Sequence, residues 1–211
     1  MNIHCFVFNP FSENTYLIWN SKKEAILIDP GCCTVDEQEQ LSQFIKFNSL
    51  IIRYLYLTHA HIDHVLGLHW INAAFGLIPR FHLDELIVYQ NGPAVSKLYG
   101  LGNLVLPGFG PFIKESVISE LDELTFEIIF TPGHSPGSIC FYNKEANSLI
   151  SGDVLFDGSI GRTDLPGGNY ETLISSIQDK LMTLPDDTIV YSGHGPTTTI
   201  GKERISNPFL V

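Results

Sequence analysis

The stretch "THAHIDH", Thr58 to His64, constrains this 211-residue chain more than any other. It places His59, His61, Asp63 and His64 within six positions. Crowding four polar side chains costs desolvation free energy unless something pairs with them. A metal ion pairs with all of them, since imidazole nitrogens and carboxylate oxygens are both metal donors. His59 and His61 are two apart and follow the apolar run "LIIRYLYL". Side chains at i and i+2 of an extended chain point the same way, so this pair can grip one ion. Asp63 and His64 open the next segment, a predicted helix over about 64–75, and point toward a second ion. Asp63 reads there as helix N-cap and ligand together, and Gly76 as the C-terminal stop.

Three later stretches repeat one grammar, a β-rich run followed by glycine and a polar residue. "FTPGHSPGS" supplies His134, "LISGDVLF" supplies Asp153 and "VYSGHGP" supplies His194. Gly133, Gly152 and Gly193 beside them let backbone pass close to a crowded centre. The seven candidates divide naturally. His59, His61 and His134 take one ion, Asp63, His64 and His194 take the other, and Asp153 bridges with its two oxygens. Two divalent ions then lie roughly 3.5–4 Å apart. Zinc suits this donor set best, with iron or manganese as alternatives. The ions outweigh two aspartates and a shared hydroxide, so the centre stays positive and favours an anionic transition state. His4, His69 and His82 read as structural, and Cys32 and Cys33 as small core residues. Asp29 reads either as a strand end or as a contact behind a ligand histidine.

Around these residues the chain alternates strand and helix patterns. Strands are expected at "IHCFVF", "NTYLIW", "EAILID" and "IIRYLYLT". Helices are expected over 35–47, 64–75, 84–98 and 170–184, the last closed by Pro185. "LTFEIIFT", "SICFY", "SLISGD" and "TIVYS" return to strand. The order indicates a layered α/β sandwich, with residues 1–211 as one domain.

Composition excludes several function classes. Hydrophobic residues make up 44% and charged residues 17%, which fits a globular chain. A net charge of −11 repels phosphate backbones and anionic membranes. A small-molecule substrate is expected instead, with no nucleic-acid or membrane partner; oligomeric state is left open. The four cysteines, Cys5, Cys32, Cys33 and Cys140, form no C-x-x-C pair, which fits a reducing cytosol. The N-terminus lacks a basic signal region, and no apolar run approaches membrane-spanning length. A cytoplasmic location is expected.

The pattern "THAHIDH … PGHSPGS … SGDVLF … SGHGP" resembles the metallo-β-lactamase fold superfamily. Its blocks run from residue 29 to 196. The stretches "GSIGRTDLPGGN" and "GHGPTTTIGKERISNPFL" narrow the likeness to short glyoxalase II-like, that is hydroxyacylglutathione hydrolase-like, proteins. The resemblance implies an αββα sandwich with the site at one edge. It also implies a thioesterase with Asp153 as bridging ligand, and on that residue β-lactam hydrolysis is set aside. Long glyoxalase II enzymes carry a C-terminal helical domain that helps hold glutathione; with residues 1–211 read as one hydrolase domain, none is expected here.

The expected reaction is thioester hydrolysis by a hydroxide held between the ions, with Asp63 orienting it. Persulfide dioxygenases of the same superfamily, similar in their "GRTD" loop, offer the alternative. They use one iron, at positions matching His59, His134 and Asp153. Arg162, Lys202 and Arg204 are the candidates for binding a substrate carboxylate. The loop carrying Arg162 reads first as a tight turn held by an Arg162–Asp164 pair.

Overall fold

A computed structural model describes residues 1–211. Strands β1 (Asn2–Phe8), β2 (Glu13–Trp19) and β3 (Glu24–Ile28) form an antiparallel meander. Helix α1 (Val35–Phe47) then crosses over, so that β4 (Ile51–Tyr56) pairs parallel with β3. Thr34 caps α1 by accepting from the Glu37 amide, and Glu37 answers with a reciprocal capping box. Helices α2 (Ile62–Val65), α3 (Leu68–Phe75) and α4 (Leu86–Leu98) complete the first half. The second sheet holds β5 (Val117–Leu121), β6 (Leu124–Phe130), β7 (Ile139–Asn143) and β8 (Ser148–Gly152). A small ribbon, β9 (Leu155–Phe156) with β10 (Ser159–Ile160), precedes α5 (Tyr170–Lys180). Strand β11 (Ile189–Ser192) adds parallel to β8, and β12 (Thr198–Thr199) and α6 (Ile200–Ser206) follow.

Three apolar clusters make four layers. Alternate side chains of a strand point to opposite faces. Leu17, Leu27 and Leu55 therefore pack with Leu41 of α1 and Leu68 of α3. Their neighbours Ile18, Ile26, Ile28 and Tyr56 face the other way, onto Phe126, Ile128, Phe141 and Ile150 of the second sheet. The far face of that sheet, with Ile129, Tyr142 and Leu149, packs under Leu173 and Ile177 of α5 and Ile200 of α6. The molecule is an αββα sandwich, as expected. The middle cluster joins the sheets, and truncating a fully buried ring there, such as Phe141→Ala, costs about 3–5 kcal/mol.

Several elements differ from the sequence expectation. The helix foreseen over 64–75 is two helices, broken at Gly67. The Gly67 amide donates to Pro30 O at 2.8 Å, and a Cβ there would sit 2.6 Å from that oxygen. Asp63 is not an N-cap: His61 holds that position, without a side-chain capping bond. The segment 84–98 opens with a 3-10 turn, Leu83–Glu85, and α5 ends at Lys180 in another. The short strands β5, β9, β10 and β12 and helix α6 lack the long periodic runs that betray strands or helices in sequence. Cys33 is exposed, not a core residue like Cys32.

The candidate donors collect where strands end. The parallel pair β3/β4 points its carboxyl ends at Asp29 and His59, and the parallel pair β8/β11 delivers Asp153 and His194. Crevices at the carboxyl ends of parallel strands are the usual place for ligands in α/β folds.

Candidate metal centre

All seven expected donors converge on one region. His59 Nε2 lies 3.2 Å from His134 Nε2, and His61 Nδ1 lies 2.8 Å from the same atom. On the other side, His194 Nε2 lies 3.1 Å from Asp63 Oδ2, and His64 Nε2 lies 3.7 Å from it. Three groups of three have donor atoms within 4.8 Å of one another: His59–His61–His134 and Asp63–His64–His194, as expected, and a third that joins Asp29 to His59 and His64. Asp153 sits between the first two. Its Oδ1 is 3.4 Å from His64 Nε2, while its Oδ2 is 3.6 Å from His134 and 3.5 Å from His194.

The outer ring nitrogens are held from behind, which fixes how the rings face inward. His59 Nδ1 meets Thr58 Oγ1 at 3.1 Å, and His134 Nδ1 meets Arg162 O at 2.7 Å. His194 Nδ1 faces Phe11 O at 3.1 Å. Asp29 accepts from the Thr58 amide and hydroxyl and faces His64 Nδ1 at 3.1 Å. Asp29 does both: it follows the end of β3, and its carboxylate stands behind His64, a candidate ligand. The geometry is close enough to demand glycine at two places. A Cβ at Gly193 would lie 2.1 Å from Asp153 Oδ1, and one at Gly161 would lie 1.9 Å from Asp153 O.

Two more carboxylates escaped sequence reasoning. Glu85 is fully buried and accepts from the Ala60 amide at 2.8 Å, Ser135 Oγ at 2.6 Å and the Gly137 amide at 2.6 Å. It therefore ties the loop of His59 and His61 to the loop of His134. Glu13 is fully buried as well; it accepts from Thr15 Oγ1 at 2.8 Å and approaches His64 Nδ1 at 4.0 Å. Glu85 lies in a run resembling an ordinary acidic helix start, and Glu13 in one resembling a turn. Neither carries a local signal.

Charges are poised differently across the centre. Burial pushes His59 and His134 below the ordinary imidazole range and His61 down to about 3, and repulsion among the histidines adds to it. Burial opposes charge on His64 too, but Asp63, Asp153 and Asp29 outweigh it and hold its pKa well above the ordinary value. Burial would raise Asp153, yet the His64 charge holds it low. His64 Nε2 and Asp153 Oδ1 are buried, face inward and have no hydrogen-bond partner in the protein. Orphaned buried polar atoms are costly. A cation between these two groups would satisfy both, so the donor set fits metal binding.

The comparisons with known proteins agree with this geometry. The Metallo-beta-lactamase superfamily model matches residues 8–194. The chain belongs to the metallo-beta-lactamase superfamily. Within that superfamily of metal-binding hydrolases, it is 44% identical to hydroxyacylglutathione hydrolase GloC of Haemophilus influenzae, over 100% of this chain and 98% of the relative. Among solved structures it is similar to the BLEG-1 B3 metallo-beta-lactamase, at TM-score 0.90 and 37% identity, with 100% of both chains covered. It is also similar to TTHA1623, solved in a di-iron-bound form, at TM-score 0.87 and 37% identity, with 98% of this chain and 100% of that one covered.

The expected substrate-binding cations fare less well in this metallo-beta-lactamase fold. A cavity of about 920 Å³ opens over His61, Asp63, His134, Asp153 and His194, and Arg162 lines it. Arg162 is engaged bidentately by Asp164, at 2.6 and 2.7 Å, which is the pair expected of its loop. Lys202 and Arg204 do not line the cavity. Lys202 pairs with Asp157. Arg204 pairs with Asp186 and donates to Met182 O and Leu184 O, closing off the end of α5. Their charge is spent on the last helices. His4 stacks on Phe44, His82 stacks on Phe130 and His69 is exposed, all outside the centre. No helix of the chain is long and apolar enough to cross a membrane.

Proposed function

We propose that this chain hydrolyses a small acyl thioester of the glyoxalase II type, S-D-lactoylglutathione or a relative of it. The observation that carries the proposal is Asp153, set between two three-residue donor groups, its Oδ2 within 3.6 Å of His134 in one and 3.5 Å of His194 in the other. His59, His61 and His134 would hold one divalent ion, Asp63, His64 and His194 the other, and Asp153 both. When bound, such a pair supplies a nucleophilic hydroxide at neutral pH and polarises the carbonyl. Zinc fits the donors, and the di-iron form of TTHA1623 supports iron equally.

The protein's own residues do the rest. Asp63 Oδ2 orients the attacking water, while the charge of His64 and then the hydrogen bond from His194 hold its carboxyl below the usual range. The backing contacts of Asp29, Thr58 and Arg162 O keep the imidazoles aimed inward. None of the four cysteines lines the cavity, so no thiol nucleophile is at hand. A thiolate leaves unaided, because the parent thiol has a pKa of about 8.5. The name of the Haemophilus influenzae relative supports the same substrate class. The four unpaired cysteines support a cytoplasmic setting.

A second reading enters through BLEG-1, which is described as a B3 metallo-beta-lactamase. The test is a three-channel assay on metal-analysed protein. It follows S-D-lactoylglutathione cleavage, nitrocefin cleavage and oxygen uptake on glutathione persulfide. Thioester cleavage with about two metals per chain is expected. Faster nitrocefin turnover would move the substrate to β-lactams. Oxygen uptake with a single iron would replace hydrolysis by dioxygenase chemistry.

A further inference from the structure

We infer that the cleft recognises its thioester through an apolar, uncharged group and not through a carboxylate clamp. The inference rests on the thioesterase reading and names the substrate class for that site. One face of α4 overhangs the cavity, with Ile87, Val95, Leu98 and then Tyr99 at helical spacing. Leu98 is 83% exposed, Ile87 61% and Tyr99 49%. Large apolar side chains left open together mark a binding surface. Phe11 and Phe156 extend this wall to the metal centre. The Phe11 ring packs edge-on to Tyr99 at 5.8 Å, and Phe156 sits 6.3 Å from the ring of His194. The apolar wall is therefore continuous with the place where the carbonyl must lie.

Charge on the walls is already cancelled. Arg162 is the one Lys or Arg lining the cavity, and Asp164 occupies its fork. Asp157, also in the lining, is neutralised by Lys202. A substrate carboxylate lying on this wall would be desolvated without a partner, which is costly. An alkyl or aryl group there would bury itself and the exposed side chains of α4 together, which is favourable.

The experiment compares S-decanoyl-N-acetylcysteamine, neutral and apolar, with S-D-lactoylglutathione on the two-metal enzyme. A fully buried methylene favours binding by about fourfold, so a KM at least about tenfold lower is expected for the decanoyl thioester. Leu98→Ser and Ile87→Ser, at exposed positions that leave the core intact, should narrow that KM ratio. In parallel, calorimetry compares two thioethers that cannot be hydrolysed, S-decyl- and S-methyl-N-acetylcysteamine. The decyl compound should bind at least about tenfold tighter. If both thioesters are cleaved with equal KM, or the lactoyl one with the lower KM, the inference falls and the thioesterase stands. If neither is cleaved, the thioesterase falls, and the thioethers decide the cleft: tighter decyl binding keeps it apolar, equal binding overturns it. Loss of a dimer in Leu98→Ser, seen by sedimentation with an unchanged KM ratio, would assign the wall to a second copy of this chain and overturn the inference.

Discussion

The histidines in the two halves of the centre hold protons in opposite ways. In the His59–His61–His134 half, burial, helped by repulsion from neighbouring histidines, holds every imidazole below the ordinary value. In the Asp63–His64–His194 half, burial acts against charge as well, but the neighbouring carboxylates win and both histidines titrate above the ordinary value. A neutral imidazole offers its lone pair at once, whereas a protonated one must first release a proton. The difference teaches that neighbouring carboxylates, not the imidazole itself, set where each histidine titrates.

The sharpest way to break this comparison is to remove one ligand from each half. His61→Ala should lose the ion of the first half and His64→Ala that of the second, each retaining about one metal per chain. Turnover should fall by more than about a hundredfold in both, beyond the loss typical of a backing residue. Loss of both ions in either variant, read by metal analysis, would show that the halves are not separable.

Smaller effects should follow from the carboxylates behind the ligands. Glu85→Ala frees the loops of His59, His61 and His134, and Asp29→Asn loosens the hold on His64. Each should weaken metal affinity by about 10–100-fold. Titration with competing chelators should locate the loss in the first half for Glu85→Ala and in the second for Asp29→Asn.

Lowering the pH should then sharpen the contrast. The raised pKa of His64 and His194 means protons compete there first, so metal content should fall from two to one before the first half empties. In the metal-free protein the signs are separable. The raised His64 stabilises the fold below about pH 6.5 and loses this as pH rises through its folded value. The lowered Asp63 and Asp153 stabilise it above about pH 4 and lose this as pH falls through theirs. The lowered His59, His61 and His134 weaken the fold as pH falls below about 6.5, so melting of chelator-treated protein should peak near pH 6.5 as far as this cluster decides. The smallest effect is expected for Arg204→Ala, remote from both halves. KM should stay within about twofold, and stability should drop by no more than about 1 kcal/mol for its half-exposed ion pair.

Much of the architecture is legible in the amino-acid order alone. The β-rich runs and helical spacings place the main elements, because side-chain periodicity is a local property. The ligand grammar is equally local: His59, His61, Asp63 and His64 lie within six residues, and His134, Asp153 and His194 each follow a β-rich run beside a glycine. Gly67 breaks a helix for a reason no neighbouring residue shows, the approach of Pro30 from just past the end of β3. Glu85 stays hidden for the same reason: its partners Ala60, Ser135 and Gly137 are 25 to 52 positions away.

The sequence by itself determined the donor types, their order and the layered strand-helix pattern, all of which follow from residue chemistry and short-range spacing. Only the tertiary structure decided which carboxylate stands behind which histidine. It also showed that Arg204 serves a helix end and that α4 turns an apolar face to the cavity. Charge, burial and hydrogen bonding act over a few ångströms of space, and the chain brings distant positions to that range only once the two sheets have packed.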